Sequence, residues 1–108
     1  MKNRAINALL DMGMPANIKG FEYITDIMVM YLDEETRHGR MMDVYEMVAD
    51  KRNTVAYRVE RAIRHAFSIV LNKGKLAAVQ KYLTFDNANN SNLLHVLYLR
   101  LEQENEEE

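Results

Sequence analysis

Between Asn53 and Gly74 the chain reads NTVAYRVERAIRHAFSIVLNKG, and no other stretch limits its folding choices as much. At 100° per residue, Val55, Val59, Ala62, Ile63, Ala66, Phe67, Ile69 and Val70 fall within one arc of about 160°. Tyr57, Arg58, Glu60, Arg61, Arg64, His65 and Ser68 occupy the opposite arc. A segment divided in this way is a helix that seals one side against neighbours and leaves the other open.

The neighbours are helices too. Glycine occurs four times and proline once, and they fall between helical patterns. A first helix is expected over about Lys2 to Asp11, closed by MGMPANIKG. A second, about Phe21 to Leu32, carries apolar residues at Phe21, Ile24, Ile27, Met28, Tyr31 and Leu32. Asp33 to Thr36 reads as a solvated acidic turn. A third helix is expected over about Met41 to Ala49. Thr54 is the expected N-cap of the amphipathic helix, which runs to Leu71 or Asn72, with Gly74 as a left-handed residue beyond its end. Lys75 to Leu83 and Ser91 or Asn92 to Leu101 complete the set. No stretch alternates as a strand does, so the expectation is an all-α single domain of about six helices over residues 1–101. Residues 102–108 are expected to form a disordered acidic tail.

A net charge of -2 conceals an asymmetry. From Asp50 to Lys75 seven basic residues face two acidic ones, a local net of +5, whereas Glu102 to Glu108 carries five glutamates and no cation. A charged partner responds to the local sign, because screening confines it to about 8–10 Å. No apolar run spans a bilayer, no leader pattern opens the chain, and cysteine is absent. A cytoplasmic protein without membrane contact is expected. His38, His65 and His95 lack metal-ligand spacing, and no glycine loop would cradle a phosphate group, so no metal, no cofactor and no enzymatic activity are expected. The eight methionines read as core filler.

A charged outer face is what any solvated helix presents, but this one has three further properties. Its cations are arginines, whose planar fork matches guanine and phosphate oxygens. Glu60 can pair with Arg64 four residues on, which leaves Arg58 and Arg61 without an acidic partner in the helix. A shorter helix precedes it across a tight turn, the arrangement that stands a second helix in a major groove.

RVERAIRHA (Arg58 to Ala66) and, independently, GMPANIKGFEY (Gly13 to Tyr23) resemble the C-terminal DNA-binding domain of the stage zero sporulation protein A family of response regulators. The resemblance covers nearly the whole chain and weakens after about Leu76. It implies a transcription regulator with a helix-turn-helix over about 41–72 and a recognition helix over about 54–72. It also implies base contacts from Glu60, Arg61 and Arg64 to a TGNCGAA-like box in double-stranded DNA, with Tyr57 added on the same face. Asn53, Thr54, Arg58 and His65 are the expected phosphate contacts, with Lys51, Lys73 and Lys75 at the rim. A homodimer on tandem sites and RNA polymerase are the further partners implied.

The chain departs from that family's pattern in several places. Glu46 and Arg52 stand where it has proline and an aromatic, so Arg52 is expected to point outward. Tyr57 replaces a small residue. The loop Thr84 to Asn92 and the final helix look shortened, which bears on tandem dimerisation. The phosphoacceptor receiver domain of the family's full-length members has no counterpart in these residues, as in a fragment or a stand-alone effector. The alternative reading is a helical protein-interaction module that binds a partner regulator through a Met-rich surface or the last helix.

Overall fold

A computed structural model describes residues 1–107. Seven helices, and no strand, are formed among them: α1 (Lys2–Asp11), α2 (Lys19–Met30), α3 (Glu34–Arg37), α4 (Met41–Arg52), α5 (Ala56–Lys73), α6 (Leu76–Tyr82) and α7 (Asn90–Glu107). The helix beyond the expected six is α3, a single turn inside the acidic stretch. Asp33 makes it by accepting hydrogen bonds from the Thr36 backbone N–H (3.3 Å) and hydroxyl (2.7 Å).

α2 is the central element and packs against α1, α4, α5 and α7. Gly20, Phe21, Tyr23, Ile24, Thr25, Asp26, Ile27 and Met28 are all buried, so this helix is covered on nearly every side. Gly20 is required by close approach: a Cβ there would lie 2.4 Å from the Ala62 carbonyl oxygen and 2.6 Å from the Ala66 Cβ. α5 seals Val59, Ile63, Ala66, Phe67 and Val70 against this centre. Removing each large apolar side chain from water contributes about 1.5–3 kcal/mol, so this stripe anchors the helix.

Several expected boundaries move. The N-cap of α5 is Val55 rather than Thr54, and Val55 is exposed instead of buried, because it stands one residue before the first helical residue, Ala56. Ala62 and Ile69 are only half-buried. Gly74 is extended (φ -74°, ψ 176°), not left-handed. Its lack of a side chain is needed for space, since a Cβ would fall 2.4 Å from the Val70 and 2.7 Å from the Met12 carbonyl oxygens. Lys75 N–H then donates to Met12 O at 3.0 Å, joining the end of α5 to the end of α1.

α7 begins at Asn90, with the Asn89 side chain accepting from the Asn92 N–H at 3.0 Å, and continues six residues past Leu101. Glutamates at a helix C-terminus oppose the macrodipole, but two of them have partners. Glu104 accepts from the Tyr82 hydroxyl (2.8 Å) and pairs with Lys81 (3.2 Å), and Glu102 lies 3.9 Å from Arg4. Arg4 also donates to the Leu101 carbonyl. Residues 102–107 of the expected acidic tail are therefore helical, and Glu108 lies outside the described residues. Six of the eight methionines are in the core or packed against it, which leaves Met42 and Met47 exposed.

Candidate nucleic-acid interface

α4 ends at Arg52, and Asn53 adopts the left-handed conformation (φ 55°, ψ 49°) that reverses the chain. The Thr54 N–H donates to Ala49 O at 2.9 Å, which closes the end of α4. Two residues later α5 departs, so α4, the turn and α5 form a helix-turn-helix. The first turn of α5 holds no acid, and Val55 offers no side-chain cap. Its leading N–H groups are thus left without a side-chain acceptor at the positive end of an 18-residue helix, a setting that favours an anion.

The sealed side of α5 turns its opposite side outward. Tyr57, Arg58, Arg61, Arg64 and His65 are exposed, and Glu60 and Ser68 are half-buried. The Glu60–Arg64 pair forms at 3.0 Å. Arg61 lacks an acid but is not idle, because its Nη1 donates to the Tyr57 hydroxyl at 2.8 Å. Ser68 donates to the His65 carbonyl of its own helix at 2.7 Å. The face therefore presents Tyr57 with Arg61, and Glu60 with Arg64, as two neighbouring pairs. Arginine donors, a tyrosine hydroxyl and a carboxylate acceptor are together complementary to base edges.

The expected phosphate contacts do not form one set. Asn53, Thr54 and Arg58 line one shallow cleft of about 320 Å³, together with Lys19, Tyr23, Arg52 and Ala62. Lys19 was missed in the sequence reading, because only folding brings the start of α2 beside the turn. Its position within the GMPANIKGFEY motif was the available signal. Lys73 and Lys75 are exposed at the far end of α5, remote in sequence from that cleft. Lys51 differs from the others, since its Nζ lies 3.3 Å from Asp26 on α2. Arg52 does not point outward as expected. It turns to the same buried carboxylate and to Glu22.

Asn90 supports this face from behind. Its Nδ2 donates to the Glu60 carbonyl oxygen (3.0 Å) and to the Tyr45 hydroxyl (3.2 Å), so the start of α7 holds both α5 and α4. Among the described residues no three His, Asp or Glu side chains gather as a metal site, and no helix is long and apolar enough to cross a membrane.

The sequence profile described as "Sporulation initiation factor Spo0A C terminal" matches residues 5–101, a span running from α1 into α7 and including the whole helix-turn-helix.

Proposed function

This chain belongs to the sporulation initiation factor Spo0A C-terminal family, a family of DNA-binding domains in transcription regulation, and we propose that it reads double-stranded DNA sequence-specifically through α5. In this reading α5 enters the major groove. Arg61 and Arg64 donate to guanine O6 and N7, and Glu60 accepts from cytosine N4, in a TGNCGAA-like box. Tyr57 adds a contact on the same face. Asn53, Thr54, Arg58, Lys19 and the open N–H groups of α5 grip phosphates at one end, and His65, Lys73 and Lys75 add contacts along the helix.

The single observation that carries this reading is the orientation of α5. Its three arginines stand in solvent while Val59, Ile63 and Phe67 are fully sealed behind them. Selection of bound duplexes from a random pool is the direct test. A recovered consensus, bound far more tightly than random duplex of equal length, is expected. Recovery of no consensus would remove the sequence-specific part of the proposal.

A second reading concerns self-association. Leu99 is 62% exposed on the outer side of α7, where Val96, Leu99 and Gln103 line a groove of about 610 Å³. We propose it as the surface that meets a second copy on tandem sites. The test is whether Leu99→Glu abolishes cooperative binding to paired boxes while single-box affinity is retained. The broader alternative of a Met-rich docking surface is disfavoured, because six methionines are taken up by the core.

A further inference from the structure

Asp26 of α2 is only 6% exposed, and it is the one charged residue buried on a helix otherwise sealed through apolar residues and Thr25. Both its oxygens are taken by one side chain: Arg52 donates from Nε to Oδ2 and from Nη2 to Oδ1, each at 2.7 Å. This is the two-pronged geometry that only a guanidinium provides. Lys51 approaches Oδ1 at 3.3 Å, and Glu22, one turn earlier on α2, takes the Nη1 of Arg52. Two cations of α4 are thus neutralised by two acids of α2. Burial works against ionisation of Asp26. The hydrogen bonds from Arg52 and Lys51 and their charges outweigh it and hold the carboxyl below its usual range.

The position of this cluster is what gives it a consequence. Arg52 is the last residue of α4, and the left-handed Asn53 follows it directly. Six residues before Asp26, Gly20 is pressed against the Ala62 backbone of α5. One helix that offers no arginine to the outer face of α5 therefore holds α5 at one point and the end of α4 at another.

We infer that Arg52 is a positioning residue for DNA reading: its fork on Asp26 fixes the end of α4 against α2 and so sets the angle at which α5 leaves the turn. The inference rests on the DNA reading above.

Arg52→Lys keeps the charge but cannot fork, so it separates geometry from electrostatics. The variant is expected to fold, as judged by circular dichroism and thermal melting. Its affinity for the selected duplex should fall about 3–10-fold and that for random duplex less than about twofold, the scale at which residues outside a ligand site modulate it. Amide hydrogen exchange should quicken over residues 53–58 and stay unchanged in α7. Equal losses on both duplexes, as the loss of a phosphate contact gives, would overturn the inference; so would unaltered binding. If Arg52→Lys fails to fold, Asp26→Asn, which keeps the acceptor's shape and leaves the Glu22 pair, is measured with the same two duplexes and the same outcomes. A wild-type chain that prefers no sequence overturns the DNA reading instead. In that case exchange at the turn decides the clamp, and its constancy in the variant overturns it.

Discussion

Arg61 and Tyr57 of α5 form a single unit: the guanidinium donates to the tyrosine hydroxyl at 2.8 Å, and its carbon lies 5.4 Å from the centre of the same ring. A long, mobile cation is thereby held over an aromatic face before any ligand arrives. Arg61→Ala should cost about 1–3 kcal/mol on the selected duplex and relax base preference at one position. Tyr57→Phe keeps the ring and removes the acceptor, so a smaller loss is expected. Parallel titrations of both variants on matched and single-mismatch duplexes check the order. An unchanged specific-to-random ratio in Arg61→Ala would remove the role assigned to it.

Lys73 extends from the last turn of α5 and has no acidic partner among the described residues. Lys73→Ala is expected to weaken selected and random duplexes alike. It should also lower the slope of log affinity against log salt by about 1. Titrations at several salt concentrations give that slope.

Gly20 has no room for a methyl group, because the nearest obstacle is the backbone of α5 rather than a flexible side-chain end. Gly20→Ala gains helix propensity but forces the two helices apart, and overpacking of this kind costs about 1–3 kcal/mol. Urea unfolding should show a lowered midpoint. DNA affinity should fall as well, although Gly20 lies outside the proposed contacts.

Tyr31 is fully buried, and burial, with a smaller contribution from Tyr45, pushes its phenol up to about 12 from an ordinary 10.0. Its hydroxyl donates only to the Met41 sulfur at 3.3 Å. The folded state thus holds this proton where the unfolded chain has released it. The associated stability is complete below pH 10 and is lost as pH rises towards 12, by about 2–3 kcal/mol. Tyr31→Phe should flatten the alkaline limb of the thermal stability profile measured between those limits.

Glu104 is joined to Tyr82 and Lys81, and Glu102 to Arg4, so these two acids face α6 and α1 rather than α5. Glu104→Gln should lower stability by about 0.5–1.5 kcal/mol and leave duplex affinity unchanged. A gain in affinity would mean instead that the acidic end of α7 screens the basic face of α5.

What could be read in advance was what depends on neighbours three or four residues apart. Val59, Ile63, Phe67 and the outward arginines follow from the helical period, and the Glu60–Arg64 pair from its spacing. Val55 misled because the apolar period reaches one residue before Ala56, where the helix begins. What stayed hidden was set by distant partners. Asp26 among Ile24, Ile27 and Met28 was the visible anomaly, but its partner Arg52 stands 26 positions away. The length of α7 depends on Arg4 and Lys81, and the place of Lys19 depends on how α2 meets the turn. The family likeness added what periodicity lacks, namely an expected set of base contacts on the outward face.

Asn90 lets the chain tolerate change in an adjacent stretch. Its amide grips Glu60 and Tyr45 directly, and in the segment just before it Phe85, Asp86 and Asn87 are exposed, whereas Ala88 lines a cleft with Glu60 and Arg64. Extending a surface loop has a small entropic penalty that grows only slowly with its length. The outer part of that loop, Phe85 to Asn87, is consequently the natural port for a fluorophore or an inserted peptide, a handle for following the protein in a titration with duplex.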